Sequence, residues 1–489
     1  MIYVPVAIYW AFALWGLLSK RQILIGLFFL TLPLGSFAVL PPGLTGGLSF
    51  VASTMTVLLI LVRQFLLSRS GLDALLANAL SLRRGGLLTL FWIVAVGVTL
   101  LSPRFLAGQI DVIPMAVRPG IGIEGLRPTI QNLSQLAYLT ISTFAVFAFA
   151  KMFEPPALRM VLIRGLMLAA TVTIITGALD YASTYLPLAP VLAPFRTAEY
   201  ALLVNVTIGD GVKRVTGLMP EASAYGGTVL FLLSYLYFLR RSVTDRRLTF
   251  QINILLAGLT LFLILSTSSA GYVGIGVFLM VAVLEWQSRA SRIARSILSR
   301  RGVLQDVAMV FVGLAVFSLV VMWAPSAFDP VIQRLDSLVF NKTSSDSYIE
   351  RTMWTRVAFE AGISSYMVGV GIGSVRGSNF AATLFGSVGL LGVLLYFGFV
   401  LQSLLRRADS RDPEAQAMSA ALKWAFWPNF AVSLLIGTTP DFGAVMALTW
   451  GVLLALTVRP RRQEFLTQPD WAARGGDGAG AEPAVGGGR

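Results

Sequence analysis

Apolar stretches close to the length needed to cross a bilayer recur from one end of this 489-residue chain to the other. A transmembrane helix needs about 20 apolar residues, with roughly 17 as the lower limit. Because lipid offers no partner to an unpaired backbone amide or carbonyl, such stretches must form helices. The sequence therefore predicts an all-α polytopic integral membrane protein with 12 or 13 transmembrane helices. The predicted spans lie near residues 2–18, 23–40, 48–67, 87–102, 130–150, 160–179, 222–239, 248–266, 271–286, 303–323, 380–402, 420–436 and 441–458.

The composition agrees with a chain whose main solvent is lipid. Hydrophobic residues make up 56% of it and charged residues 13%, and the mean hydropathy is +0.76. Soluble proteins carry about 25% charged residues, and no soluble core of this size would need so much apolar surface. We predict one transmembrane helical domain over residues 1–462, followed by a glycine-rich, disordered cytoplasmic tail over residues 463–489.

Basic residues predict the orientation of the spans. With 13 spans, seven groups of lysine and arginine fall on one face of the membrane, which the positive-inside rule makes cytoplasmic. The formal charge of +14 is therefore mostly a topology signal, and we expect membrane lipids rather than nucleic acid as partners. The groups are Lys20 and Arg21; Arg69, Arg83 and Arg84; Lys151 and Arg159; Arg240, Arg241, Arg246 and Arg247; Arg289, Arg292, Arg295, Arg300 and Arg301; Arg406, Arg407 and Arg411; and Arg459, Arg461 and Arg462.

Long loops are predicted on the opposite, non-cytoplasmic face at residues 103–128, 180–221 and 324–377. The last is the large periplasmic loop between the spans near 303–323 and 380–402. Long loops that interrupt a compact bundle usually carry function. Because the positive-inside rule disfavours cations on this face, their presence indicates an anionic ligand. These cations are Arg104, Arg118, Arg127, Arg196, Lys213, Arg214, Arg334, Lys342, Arg351, Arg356 and Arg376.

The chain contains no histidine and no cysteine. It therefore lacks imidazole bases, thiolate nucleophiles and the commonest metal ligands. Any chemistry must use carboxylates, arginine, lysine, hydroxyls, amides or the backbone. We expect neither a metal nor a cofactor.

One candidate segment, residues 214–227, lies where the second long loop enters a span. It places Arg214 and Glu221 around a Gly/Pro turn, and Ser223 is the predicted N-cap of the helix that follows. A guanidinium and a carboxylate at the membrane rim are one interpretation. A helix start with an incidental ion pair is the other, and the segment alone favours it.

A second candidate segment, residues 350–362, lies in the longest outside loop and has the pattern of an amphipathic surface helix. Arg351 and Trp354 share one face of this helix, and Arg356 and Glu360 are four residues apart. Phosphate recognition is one interpretation, because a guanidinium binds phosphate oxygens through two hydrogen bonds. A lid helix with a surface ion pair is the alternative, and such a pair contributes little stability.

Two segments are rich in small residues. Residues 266–274 join two adjacent spans and are typical of tight helix packing. Residues 368–392 form a glycine-rich stretch that runs into a span, with Arg376 and Asn379 at the junction. Glycines let the backbone approach a ligand closely, and the start of a helix offers free N–H groups to an anion.

In order, spacing and placement around one long loop, these segments resemble the O-antigen ligase and Wzy-type polysaccharide polymerase superfamily, over roughly residues 200–405. Two positions depart from the family. Ser269 stands where many members have the arginine of a Ser-Arg pair, and Ser378 precedes Asn379 where members have histidine. Since ligases are thought to use that histidine, its absence favours the exopolysaccharide polymerase branch or a divergent relative, with Arg376 as the candidate replacement for its positive charge. The resemblance is carried by residues 214–227, 266–274, the R-x-x-W helix at 351–354, and the G-x-G-x-G…N…G-x-x-G run at 369–392.

The resemblance implies glycosyl transfer on the periplasmic face of the bacterial inner membrane, in cell-surface or exopolysaccharide biosynthesis. Repeat units linked to undecaprenyl diphosphate would be polymerised or ligated without a metal. Glu221 would accept the proton of the acceptor hydroxyl. A chain-length regulator and a flippase would be candidate partners. The implied site residues are Glu221, Arg376 and Asn379 for catalysis, and Arg214, Arg351 and Arg356 for binding the diphosphate.

Two other functions remain open on the sequence. A flippase for lipid-linked oligosaccharides, or another membrane transporter, would place ionisable residues at mid-membrane. Most charges here lie at loop boundaries instead, which argues against a transporter. A non-catalytic partner in an envelope complex is the third possibility, because the family's histidine and arginine are missing.

Overall fold

The computed structural model describes residues 3–19, 22–40, 49–68, 70–115, 122–198, 202–204, 207–208, 212–290, 322 and 346–457. Within them the chain is almost entirely helical, and the only strands are two short antiparallel hairpins. The first pairs β1 (Asp111–Val112) with β2 (Glu124–Gly125), and the second pairs β3 (Thr207–Ile208) with β4 (Val212–Lys213). The helices are α1 (Tyr3–Leu18), α2 (Ile23–Thr31), α3 (Ala52–Leu61, continued by a π-helical turn), α4 (Gly71–Ala79), α5 (Gly86–Phe105), α6 (Ile130–Met152), α7 (Ala157–Ala182), α8 (Ala189–Leu192), α9 (Ala222–Leu239), α10 (Arg246–Leu265), α11 (Ser269–Ala290), α12 (Asp346–Ser364), α13 (Phe380–Leu405), α14 (Pro413–Ile436) and α15 (Gly443–Ala455).

Length and hydropathy identify membrane-spanning helices among those described. Seven described helices are long and apolar enough to cross a membrane, and there are eight if the bent pair α3–α4 counts as one span. Helices α1 and α15 are apolar but shorter. The prediction of an all-α, multi-pass membrane protein is confirmed. The seven helices are Gly86–Phe105, Ile130–Met152, Ala157–Ala182, Ala222–Ser242, Arg246–Leu265, Ser269–Arg289 and Phe380–Leu405.

Helix α2 is shorter than the span predicted near residues 23–40. It ends at Thr31, because Pro33 has no N–H to donate to the preceding turn. Its nine residues rise about 14 Å, which is less than half the thickness of the hydrocarbon core. The chain then turns back, and Ala38 pairs with Val51 in an isolated antiparallel bridge.

Other predicted segments have different outcomes. Helix α4 follows α3 and is bent by 103° from its end. The long loop predicted over 324–377 contains helix α12. The span predicted near 303–323 and the tail at 463–489 lie outside the described residues.

Basic residues from distant loops meet at one end of the bundle, which we call the basic end. Arg406, at the end of α13, donates to the backbone carbonyl of Arg84, which precedes α5. Arg159, at the start of α7, lies 2.5 Å from Asp412, which caps α14. These contacts agree with the predicted grouping of the basic loops on one face. The opposite end, where α5, α7, α10, α12 and α14 finish, is called the loop end.

Helix α15 is held tightly by α6 and α9. A Cβ atom at Gly451 would lie 2.5 Å from the Cβ of Phe149, so only glycine allows α6 and α15 to come this close. The hydroxyl of the buried Tyr235 in α9 hydrogen-bonds that of Thr449 in α15. These contacts hold the second half of α15 against α6 and α9.

Helix α13 is broken at Gly389, whose φ of 67° and ψ of −171° are not helical. The segment 367–371 lies against the break and exchanges backbone hydrogen bonds with it. Leu390 N–H donates to the Met367 carbonyl at 2.9 Å, and the Gly386 carbonyl accepts from the same segment at 2.8 Å. The break therefore leaves these backbone groups satisfied, and it ties the loop before α13 to the bundle.

Candidate functional site

A fully buried carboxylate, Asp180, lies near the end of α7 at the loop end. One of its oxygens accepts from Arg196 and from Lys213, each at 2.9 Å. The other accepts from the backbone N–H groups of Thr216 and Gly217 at 2.8 and 3.1 Å. Two of the outside cations predicted to meet an anionic ligand are therefore occupied by a carboxylate of the protein itself. We call this cluster the Asp180 clasp.

Arg214 follows Lys213 directly, so the Asp180 clasp also positions it. Its guanidinium donates to the Thr267 carbonyl at 3.5 Å. Thr267 has a φ of 45° and lies in the turn between α10 and α11. The turn packs against α9, because a Cβ at Gly226 would lie 3.2 Å from the Ser266 hydroxyl. The prediction that this small-residue turn serves tight packing is confirmed.

Glu221 is the N-cap residue of α9, with extended backbone angles of −154° and 163°. The prediction that Ser223 caps this helix is wrong. Because the helix begins at Ala222, Ser223 lies inside the first turn, and its hydroxyl reaches back to donate to the Glu221 carboxylate. The Glu221 carboxylate is thereby held at the start of α9.

Glu221 lines a cavity of about 340 Å³ at the loop end, called the larger cavity. Its walls come from the first turns of α9, the last turns of α14 and the start of α15. Leu32, which follows α2, completes them. Most of the lining is apolar, with a few polar side chains, as in many sites for small molecules. The lining residues are Leu32, Glu221, Ser223, Ala224, Gly227, Thr228, Leu230, Phe231, Asn429, Val432, Ser433, Ile436, Phe442, Val445 and Met446.

A second carboxylate, Asp441, lines an adjoining cavity of about 100 Å³, called the smaller cavity. The two cavities share Ser433, Phe442 and Met446. Asp441 was not among the site residues predicted from the sequence. The signal was an aspartate at the first position of the last predicted span, after two threonines and a proline. The smaller cavity is lined by Phe380, Tyr396, Phe430, Ser433, Gly437, Thr438, Thr439, Asp441, Phe442 and Met446.

Helix α12 brings Arg351 and Trp354 to the loop end. Trp354 is buried against Ile113, which follows β1, and against Val357 of its own helix. The helix predicted over 350–362 is confirmed, and α12 extends it at both ends. The prediction that it is amphipathic is wrong, because its exposed face also carries large apolar side chains, such as Phe359 and Ile363. The buried face of α12 positions the Trp354 indole ring, which contacts Arg376.

The Arg376 guanidinium lies over the Trp354 ring, with its carbon 3.8 Å from the ring centre. Its backbone N–H donates to the Ile113 carbonyl at 2.8 Å, which fixes this part of the loop. The side chain is half-buried, and no carboxylate among the described residues lies within ion-pair distance of it. The guanidinium is therefore oriented by an aromatic face and retains its hydrogen-bond donors.

The charges around Arg376 identify its neighbours. Burial lowers the pKa of the Arg376 guanidinium, the Glu350 and Glu221 carboxylates raise it, and Arg351 lowers it. Charges act in this way only over short distances, so these side chains share one region of the loop end. The structure therefore brings together three predicted site residues, Arg351, Arg376 and Glu221, from distant parts of the chain.

Asn379 is the N-cap of α13, and its side-chain oxygen accepts from the Ala382 N–H at 3.1 Å. Among the described residues, no group accepts a hydrogen bond from its amide nitrogen. Asn379 lies three residues after Arg376, and the next residue, Phe380, lines the smaller cavity. Its remaining donors are therefore placed beside the candidate site.

The glycines before Arg376 pack against the protein. Gly371 has a φ of 91°, and a Cβ there would lie 3.0 Å from the Pro103 ring in α5. Gly373 has a φ of 81°, and a Cβ there would collide with the Gln131 carbonyl in α6. The expectation that these glycines let the backbone approach a ligand is wrong at both positions, because neighbouring helices occupy that space.

Arg356 lies apart from this group. It is exposed and forms an ion pair with Glu360 of the same helix at 2.7 Å. That hydrogen-bonded pair raises the pKa of Arg356. This is the surface ion pair that was the alternative to phosphate recognition in the interpretation of the sequence. Such a pair contributes little stability. The structure does not bring Arg356 to Arg376.

No group of three or more acidic side chains in the described part of the chain could hold a metal ion. The arrangement offers a stacked guanidinium, a second arginine, two carboxylates and two adjoining cavities at one end of a membrane bundle. Such a site can bind an anion and can accept a proton. Neither the known protein families nor the curated proteins contain a match to this chain.

Proposed function

We propose that this chain is a metal-independent glycosyltransferase that polymerises or ligates glycans carried on undecaprenyl diphosphate, in cell-surface or exopolysaccharide biosynthesis. In the bacterial inner membrane, the basic end would lie in the cytoplasm and the loop end in the periplasm. The donor is a lipid-linked glycan, and the acceptor is a sugar hydroxyl on another repeat unit. The product is a longer glycan and free undecaprenyl diphosphate.

The convergence of Arg376, Arg351 and Glu221 is the observation that carries this proposal. Arg376 stacks on Trp354 and has no ion pair among the described residues. A half-buried guanidinium that no described carboxylate contacts directly favours an anionic ligand, because no described residue accepts a hydrogen bond from its N–H groups. A diphosphate offers several oxygens to Arg376 and Arg351 at once.

The reaction needs stabilisation of the leaving group and removal of one proton. The acceptor oxygen attacks the anomeric carbon of the donor, and the bond between that carbon and the diphosphate oxygen breaks. Negative charge then grows on the departing diphosphate, where Arg376 and Arg351 stabilise it. A carboxylate of the loop end takes the acceptor proton, and Glu221 is the candidate named by the sequence.

The surroundings suit a substrate that is part lipid and part sugar. The larger cavity is mostly apolar and lies at the loop end, where a diphosphate headgroup would lie at the membrane surface. The donor carries its own leaving group, so the step requires no nucleotide. The membrane would hold the isoprenoid chain, which raises the local concentration of donor at the site.

Purified protein in nanodiscs, given a synthetic undecaprenyl-diphosphate-linked oligosaccharide, tests the proposal. Chain length is read by gel electrophoresis and mass spectrometry. Arg376→Ala should reduce kcat about 10²–10³-fold, the usual effect of removing one preorganised donor to a developing anion. Arg127→Ala is the matched control, because Arg127 is an exposed loop-end arginine paired with Glu124 at 2.8 Å.

Three results would count against the proposal. One is wild-type protein that produces no longer glycan from a competent substrate. Another is Arg376→Ala with the same kcat as Arg127→Ala. The third is movement of the lipid-linked oligosaccharide across the membrane without a new glycosidic bond, which would favour a flippase.

A further inference from the structure

The smaller cavity has a lining suited to the edge of a sugar ring. It combines aromatic faces with hydroxyl groups and one carboxylate, and proteins use such mixtures of apolar walls and a few polar groups to orient small ligands. Its volume of about 100 Å³ takes only part of a sugar, and the adjoining larger cavity takes the remainder. The aromatic residues are Phe380, Tyr396, Phe430 and Phe442, and the small polar ones are Ser433, Thr438, Thr439 and Asp441.

Asp441 is held in place without an ion pair among the described residues. The Gly443 N–H donates to its Oδ1 at 3.0 Å. Burial raises the pKa of Asp441, and the Ser142 hydroxyl of α6 and the Gly443 N–H lower it in part. The other titratable groups facing it are the phenols of Tyr138 in α6 and Tyr396 in α13, which ordinarily titrate near pH 10.

Glu221 has different surroundings. It accepts a hydrogen bond from Ser223, and its charge acts on Arg376. Glu221 therefore lies on the side of the site where the diphosphate is proposed to bind. Asp441 lies in the adjoining cavity, where no arginine or lysine of the described residues forms an ion pair with it.

Building on the proposed function, we propose that the smaller cavity is the acceptor subsite and that Asp441 is the base that takes the proton from the attacking sugar hydroxyl. As that O–H bond breaks, its proton moves to an Asp441 oxygen and its electron pair forms the new bond to the anomeric carbon. The bond to the diphosphate breaks, and its electron pair leaves with that group. Water then takes the proton from Asp441.

Asp441→Asn tests this assignment, because it keeps the size of the side chain and removes the base. A general base contributes about 10²–10⁴-fold, so kcat for transfer should fall by that factor while the KM for donor stays unchanged. The wild-type rate should decline as pH falls through the raised pKa of Asp441, and the variant should lack this decline. Glu221→Gln should retain it.

Ser142→Ala provides a second measurement, which does not depend on Asp441→Asn being folded. The Ser142 hydroxyl lowers the pKa of Asp441, so its removal should raise that pKa. The acidic limb of the pH profile should therefore move to higher pH. A limb that stays in place would overturn the assignment.

The two proposals fail in different ways. If Arg376→Ala abolishes transfer while Asp441→Asn keeps the wild-type rate and pH profile, only the assignment of Asp441 is overturned. If Arg376→Ala leaves transfer intact as well, the proposed function of the site fails. Loss of the acidic limb in Glu221→Gln but not in Asp441→Asn would return the role of base to Glu221.

Discussion

Replacing Asp180 with asparagine should weaken the loop end strongly. The Asp180 carboxylate is fully buried and accepts five hydrogen bonds, from Arg196, Lys213, Thr216 and Gly217. An asparagine amide would present N–H groups to some of these donors, and two cations would lose their counter-charge. Removing one partner from a buried ion pair costs about 3–5 kcal/mol, and we expect the loss of unfolding free energy to fall in that range.

Denaturation of the purified protein by titration with sodium dodecyl sulfate in mixed micelles measures this loss. Asp111→Asn is the matched control, because Asp111 is an exposed aspartate of the loop end. Substitutions of this kind change the free energy of unfolding by at most about 0.5 kcal/mol. The difference between the two variants isolates the contribution of the Asp180 clasp.

A double substitution tests the electrostatic part of this reasoning. Lys213→Met removes one of the two charges that Asp180→Asn leaves uncompensated, so the double variant should be more stable than Asp180→Asn alone. The reasoning is refuted if Asp180→Asn is as stable as Asp111→Asn. It is also refuted if Lys213→Met adds further destabilisation to Asp180→Asn.

Three further substitutions test the site, the basic end and the packing of the loop. Trp354→Leu removes the ring beneath Arg376, a contact worth about 1–2 kcal/mol when partly desolvated, so the KM for donor should rise about 5–30-fold in the transfer assay. Asp412→Asn should lower the unfolding free energy by about 1–2 kcal/mol at neutral pH. Arg159 lowers the pKa of Asp412, so this stabilisation is present above about pH 4 and is lost as pH falls, and thermal unfolding at pH 7 and pH 3 measures it. Gly373→Ala should destabilise the protein by about 2 kcal/mol or more, because its φ of 81° strains a side chain and its Cβ would meet backbone.

Controls for these substitutions are available in the same chain. Trp354→Phe keeps a weaker aromatic face and should give a smaller rise in KM than Trp354→Leu. Gly276→Ala lies in α11 where a Cβ meets no atom within 4 Å, so it should leave stability unchanged or increase it. Equal effects of Gly276→Ala and Gly373→Ala would contradict the packing argument, and a pH-independent effect of Asp412→Asn would contradict the electrostatic one.

Hydropathy predicted most of the helices because a helix in lipid must be apolar over most of its length. It failed for α2, because a window average over residues 23–40 does not register that Pro33 removes one backbone donor.

The site was only partly predictable. Arg351 and Arg376 stood out because arginines are disfavoured on the outside face, and this signal does not depend on knowing the fold. The same signal also selected Arg196 and Lys213, whose partner Asp180 is on another element. An ion pair between side chains of different helices or loops depends on how the helices pack, and a single sequence does not contain that information. Asp441 was missed for the same reason.

The break in α13 has a consequence for how the chain enters the membrane. The carbonyls of Gly386 and Ser387 would face lipid without partners if α13 inserted alone, which costs several kcal/mol for each group. Their donors, in residues 367–371, precede α13 in the chain and are therefore synthesised before it. Insertion of α13 and docking of the loop that carries Arg376 should then be one cooperative event during biogenesis, so that every inserted copy acquires its arginine site together with this helix.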